Sequence, residues 1–170
     1  MDFWYAITLF GEPELWAIIC IILAVSYFVL RYGFWKKSEK HLVYKRFLTL
    51  LFVSLFVSLL LAAGLKVVFS VERPCISCVG DVVDCNPYCP LDYSFPSGHA
   101  ITIFTLFSSL YFVVRRRFTL FLFIVPVLIA VSRLFLGVHT LLDVTVGAML
   151  GIVLTWIVFL VENRYLAYMK

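Results

Sequence analysis

Charge is what this sequence has least of. Of its 170 residues only 14% are Asp, Glu, Lys or Arg, while 64% are hydrophobic and the mean hydropathy is +1.04. Such a balance excludes an ordinary water-soluble fold. Other features are missing too. No basic segment precedes the first apolar run and no small-residue cleavage site follows it, which argues against a removable signal peptide and leaves the run expected as a helix. The absence of an internal repeat removes a transporter built from two repeated halves, and the absence of a low-complexity linker leaves one domain over residues 1–170.

What is present is a set of apolar runs long enough to cross a bilayer, about 20 residues for a core of about 30 Å. They run over Glu14–Trp35, Phe47–Ser70, His99–Val114, Phe118–Phe135 and Asp143–Val161. The expected fold class is therefore all-α, a polytopic membrane helix bundle of about five transmembrane helices. Residues 1–12 are too few for a span, but Phe3, Trp4, Tyr5 and Phe10 suit a short interfacial helix, ended by Gly11-Glu12-Pro13.

The net charge of +4 reports topology and not a nucleic-acid partner. Arg31, Lys36, Lys37, Lys40, Lys45, Arg46, Arg115, Arg116, Arg117, Arg164 and Lys170 collect on one side, leaving only Lys66, Arg73 and Arg133 of the fourteen basic residues on the other. Most acids share that second side. Basic flanks are retained in the cytoplasm, which puts the N-terminus and the loops near 71–98 and 136–142 outside and the C-terminus inside the cell membrane.

Lys66, Arg73, Ser97, His99, Arg133, His139 and Asp143 then fall near the outer ends of spans two to five. An ionisable group at membrane depth costs about 2.5–3.5 kcal/mol on insertion scales and faces a polar cavity where it has a function. Any one alone could snorkel, as Lys66 could, and His139 with Asp143 alone could be a buried structural pair. Three cations gathered on the side that basic residues avoid need an anion, and phosphate is the natural one. Lys66-x6-Arg73-Pro74 places two cations about two helical turns apart, on one face. In Phe95-Pro96-Ser97-Gly98-His99, Ser97 suits an N-cap, and the free N–H groups of a helix start attract phosphate. Gly98 lets a ligand approach the backbone, and His99 titrates near neutral pH as a general acid would. In Ser132-Arg133-x5-His139-x3-Asp143, Asp143 is spaced to hold one nitrogen of a neutral His139, leaving the other for attack.

These three segments, Lys-x6-Arg-Pro, Pro-Ser-Gly-His and Ser-Arg-x5-His-x3-Asp, resemble the signature of the type-2 phosphatidic acid phosphatase superfamily, in order and over Lys66 to Asp143. The resemblance implies a helical membrane bundle with a metal-independent, cofactor-free site. It also implies His139 as nucleophile, Asp143 as its orienting partner and His99 as the acid that protonates the leaving group. Lys66, Arg73, Ser97, Gly98 and Arg133 would form the phosphate cradle. The chain departs from the commoner six-helix members by its five evident spans. Soluble vanadate haloperoxidases share the signature, but the spans argue against that activity.

The expected function is hydrolysis of a lipid phosphate or diphosphate at the outer face through a phosphohistidine, favouring polyprenyl diphosphate to monophosphate by family analogy. The substrate and the membrane lipids are the expected partners. Phosphatidylglycerol phosphate and phosphatidic acid present the same phosphomonoester, and transfer to a lipid acceptor is an alternative to hydrolysis. A catalytically silent lipid-binding protein is the reading from another class; it predicts a broken catalytic set, and none of the expected residues is missing.

Two features lie beside the motifs. Cys75, Cys78, Cys85 and Cys89 share an outer loop, 74–96, where an oxidising exterior favours disulfides over a four-thiolate zinc site; four cysteines allow three pairings, and spacing does not choose among them. Cys20, inside a span, reads as packing. Gly147-x3-Gly151 in the last span would admit a close neighbouring backbone, within the bundle in preference to a second copy.

Overall fold

The computed structural model describes residues 3–33, 40–76 and 89–168. Trp35, Lys36, Lys37, Cys78, Cys85 and Lys170 of the expectations above lie outside the described residues. The order is α1 (Phe3–Leu9), α2 (Pro13–Gly33), α3 (Lys40–Phe69), a 3-10 turn (Pro74–Ile76), α4 (Gly98–Val114), α5 (Phe118–Phe121), α6 (Ile124–Phe135) and α7 (Leu141–Tyr168). Among the described residues there is no strand.

The chain is a multi-pass membrane protein. Leu42–Phe69, Phe118–Phe135 and Leu141–Tyr168 are each long and apolar enough to cross a bilayer, and Phe3–Trp16 with Ile18–Leu30, bent by 50°, forms a fourth span if the pair counts as one. The fifth expected span, α4, has 17 residues, about 26 Å at 1.5 Å each. It is the centre of the bundle, packed on α3, α6 and α7, and buries Ala100, Ile101, Ile103 and Phe104. A helix sheathed by others need not match the bilayer thickness. The outward surfaces carry Val67, Val68, Phe121, Ile124 and Leu141, all widely exposed, an apolar area that only lipid tolerates.

Where the helices meet, small residues replace large ones. Ser54, Ser58 and Ala62 on α3, Thr105, Ser108 and Ser109 on α4, and Gly147, Gly151 and Thr155 on α7 are buried. Without a hydrophobic drive between helices in lipid, close backbone approach supplies the dispersion contacts that hold them. The glycine pair is used in this way: a Cβ on Gly147 would lie 2.7 Å from the Ser97 carbonyl oxygen, and one on Gly151 would lie 2.8 Å from that of Ile101.

Helix α3 begins at Lys40, ahead of the expected span start at Phe47, and α7 runs on past Val161 to Tyr168. Hydropathy marks the edge of the bilayer, whereas the backbone ladder continues until a residue breaks it. At that basic end Arg46 pairs with Glu162 at 2.9 Å, and Arg46 and Arg115 both cover the Phe159 ring. Helix α1 is the short N-terminal helix expected. It packs against α6 with the Trp4 ring stacked on Phe135, centroids 4.2 Å apart, and Thr8 buried.

Candidate active site

At the end of the bundle opposite the basic cluster, four helix termini converge on a cavity of about 470 Å³. Each terminus has a local cause. Helix α3 stops where Ser70 takes a left-handed φ of 45°, its N–H reaching the Lys66 carbonyl at 2.9 Å and its hydroxyl that of Val67 at 2.8 Å. Arg73 consequently arrives from the following loop and not from the helical face it was expected to share with Lys66; Pro74 also disfavours helix at the residue before it. Helix α6 ends in a Schellman motif: Gly137, at φ +65°, donates to Leu134 O at 2.9 Å and Val138 donates to Arg133 O at 3.3 Å. That reversal delivers His139.

Helix α7 opens with a capping box. The Asp143 N–H donates to Thr140 Oγ1 at 3.2 Å, and the Asp143 carboxylate accepts from the Thr140 N–H at 2.7 Å. The same carboxylate oxygen lies 3.6 Å from His139 Nδ1, beyond a direct hydrogen bond. Ser94 fills the gap, its Oγ 3.2 Å from Nδ1 and 2.5 Å from Asp143 Oδ2. The expected direct acceptor is thus corrected to a relay, because the capping box holds the carboxylate back toward the α7 backbone.

The tautomer follows from the partners. Arg73 Nη1, which can only donate, lies 3.0 Å from His139 Nε2, so Nε2 is the acceptor and Nδ1 carries the proton. Nδ1–H donates to Ser94, and Ser94 donates to Asp143. Burial, then the charges of Arg73 and Arg133, pull the His139 pKa well below its ordinary value against the opposing pull of Asp143, which leaves the ring neutral at pH 7.

Lys66, Arg73, Gly98, His99, Arg133 and His139 all line the cavity. Ser97 and Asp143 are buried behind them. Ser97 stands at the N-cap position, but its hydroxyl makes no cap bond, and its N–H is taken by Asp143 O at 3.0 Å. Three buried polar atoms here, Ser97 Oγ, Arg133 Nε and His99 Nε2, have no hydrogen-bond partner among the described residues. A Cβ on Gly98 would meet open space.

Several residues at the site were not singled out in the sequence. Asp92 bridges the first two cations, with Oδ2 2.6 Å from Lys66 Nζ and Oδ1 2.6 Å from Arg73 Nη2, while Arg73 Nε donates to its carbonyl at 2.9 Å. Burial alone would raise the Asp92 pKa, but the hydrogen bonds from Lys66 and Arg73 outweigh it and bring it down to about 2. Thr8 accepts from Arg133 Nη1 at 2.6 Å, and Glu12 Oε1 stands 3.4 Å from His99 Nε2. The Thr140-x2-Asp143 spacing could have disclosed the capping box; nothing local marks Thr8, Glu12, Asp92 or Ser94 for this cavity. Cys75 and Cys89 are joined by a disulfide, which takes those two thiols away from the zinc alternative.

Paired histidines, a carboxylate relay and three cations thus converge at one end of a membrane helix bundle. The chain belongs to the PAP2 superfamily, matched over residues 47–166. It is 41% identical over 71 residues to an undecaprenyl-diphosphatase of Sulfolobus acidocaldarius, a stretch that is 42% of this chain and a third of that protein's length (33%). Its fold is similar to the crystal structure of LpxE from Aquifex aeolicus, with a TM-score of 0.67 and 27% identity over 92% of this chain and 82% of that one. A phosphatidylglycerolphosphate phosphatase from Bacillus subtilis shares the fold with a TM-score of 0.67 at 23% identity, over 95% of this chain and 75% of that one.

Proposed function

We propose that the chain hydrolyses the terminal phosphate of a lipid diphosphate, polyprenyl diphosphate to monophosphate, at the extracytoplasmic face and through a phosphohistidine on His139. The observation that carries this reading is the contact pattern of His139 at the cavity, whose Nε2 lies 3.0 Å from the Arg73 guanidinium while Nδ1 lies 3.2 Å from Ser94 Oγ, itself bonded to Asp143. The 41% identical stretch shared with an undecaprenyl-diphosphatase supports the diphosphate over other lipid phosphates. The placement of the cavity opposite the basic end supports the outer face.

In the first half-reaction Nε2 attacks phosphorus, the P–O bond to the leaving group breaks, and the electron pair leaves with that oxygen, which receives a proton from His99. Lys66, Arg73 and Arg133, with Ser97 Oγ and the N–H groups at the start of α4, stabilise the charge on the equatorial oxygens. Asp143, through Ser94, stabilises the positive ring that forms. In the second half His99 takes a proton from water, the water oxygen attacks phosphorus, the P–N bond breaks, and inorganic phosphate departs. Asp92 bridges Lys66 and Arg73, so a substrate phosphate competes with it for both cations.

The test is phosphate release from a panel of purified polyprenyl diphosphate, phosphatidylglycerol phosphate and phosphatidic acid in detergent with excess chelator, for the native chain and His139→Ala. Chelator-resistant release, fastest on the diphosphate and abolished in the variant, is expected. Equal activity in both proteins refutes His139 as nucleophile, loss to chelator refutes a metal-independent site, and a phosphorylated acceptor in place of free phosphate refutes hydrolysis.

A further inference from the structure

The family match begins at residue 47, yet four residues from before it, Tyr5, Thr8, Glu12 and Glu14, line the cavity. Helix α1 and the turn into α2 form a hairpin whose position is set by several independent contacts. Trp4 stacks on Phe135, Thr8 Oγ1 accepts from Arg133 Nη1 at 2.6 Å, and Trp16 Nε1 donates to Phe10 O at 2.5 Å across the turn. The turn presses directly on the first histidine. A Cβ on Gly11 would lie 2.6 Å from Ile129 Cγ2 and 2.9 Å from Cδ2 of His99, so only glycine lets the chain come so near. The next residue is Glu12, with Oε1 3.4 Å from His99 Nε2.

We propose that Glu12 is a positioning residue for His99, supplied by this N-terminal hairpin to hold the ring and its proton toward the leaving group. The inference rests on the reading of His99 as the acid. Lys66, Arg73 and Arg133 line the same cavity, and each opposes positive charge on the imidazole. A carboxylate facing Nε2 is the counter-charge that a proton-donating ring needs there. At 3.4 Å the pair is longer than the 2.7–2.9 Å typical of a charge-assisted bond, and Nε2 is not otherwise bonded among the described residues. The acid is held in place and still free to donate. The His99 side chain is 12% exposed and that of Glu12 41%, which puts the carboxylate at the rim, where it stays ionised. During the reaction the proton passes from Nε2 to the leaving-group oxygen as the P–O bond breaks, and Glu12 itself neither gains nor loses one.

The experiment is a double-mutant cycle on the full chain in detergent, using release of labelled phosphate from farnesyl diphosphate by the native protein, Glu12→Gln, His99→Ala and the double variant. Glu12→Gln is expected to lower kcat about tenfold with KM within about twofold, and to have almost no further effect once His99 is alanine. Equal loss in both backgrounds overturns the proposal, because it marks a structural role. Unchanged kcat in Glu12→Gln, or a lower KM alone, overturns it as well, showing that the carboxylate merely repels substrate. Native turnover by His99→Ala overturns instead the assignment of His99 as the acid, on which the proposal depends.

Discussion

Substituting Gly147 by alanine tests how tightly the helix seam controls the site. Its Cβ would stand 2.7 Å from the Ser97 carbonyl oxygen and 3.1 Å from Ala100 Cβ, whereas ordinary contact begins at 3.4 Å, so α4 and α7 must part by about 0.7 Å. Backbone cannot swing aside as a flexible side chain can. Overpacking of this kind costs about 1–3 kcal/mol, against which alanine returns up to ~1 kcal/mol of helix propensity. The net destabilisation of up to ~2 kcal/mol corresponds to a Tm lower by roughly 4–8 °C in detergent. The catalytic effect should be larger, since Ser97 N–H holds Asp143 O and His99 lies two residues further on. A misplacement near 1 Å costs up to about 100-fold, so kcat should fall between about 10- and 100-fold. Gly64→Ala is the control, because its Cβ meets nothing within 4 Å; it should keep native activity and an equal or higher Tm. A Gly147→Ala protein with native kcat and Tm would refute the argument that this contact sets the α4 start.

Ser94→Ala should reduce kcat about 10- to 100-fold with little change in KM, since it removes the bridge between His139 Nδ1 and Asp143, and a buried unpaired group costs about 1–3 kcal/mol; steady-state kinetics decide it. Reducing the Cys75–Cys89 disulfide, which closes a separation of 14 residues, should lower stability by about 3 kcal/mol, read from Tm with and without reductant. The His139 pKa is depressed in the folded chain, so the unfolded chain takes up the proton first as pH falls. Stability attributable to this group is therefore whole above about 6.5 and declines below it, with a slope of at most about 1.4 kcal/mol per pH unit. For the same reason the nucleophile's acid limb in kcat/KM should lie below pH 6.5. A pH–Tm series on native protein and His139→Gln checks the first claim, since the slope from pH 6.5 to 5 should shrink in the variant.

The spacing of Lys66, Arg73, Ser97, His99, Arg133, His139 and Asp143 was enough to announce one cavity, because ionisable groups in a chain this apolar have nowhere else to go. The Phe118–Phe135 span and the all-helical bundle were equally legible, since apolar length alone dictates a membrane helix. Helix ends were not. The start of α3 at Lys40 and the left-handed Ser70 depend on backbone hydrogen bonds that hydropathy does not register.

What tertiary structure alone decided is how the site's charges are neutralised and held. Thr8 and Arg133 are 125 residues apart, Ser94 and Asp143 49, and Lys66 and Asp92 26, and no periodicity links such pairs. The aromatic rings of residues 1–12 disclosed a short helix at the membrane surface, but only the packing of α1 on α6 makes that segment a wall of the cavity. The sequence by itself determined which groups need partners, because burying charge in an apolar bundle is costly wherever it occurs. Which atoms answer that need is a property of distance in three dimensions, and only the folded chain brings Ser94, Asp92 and Glu12 within reach.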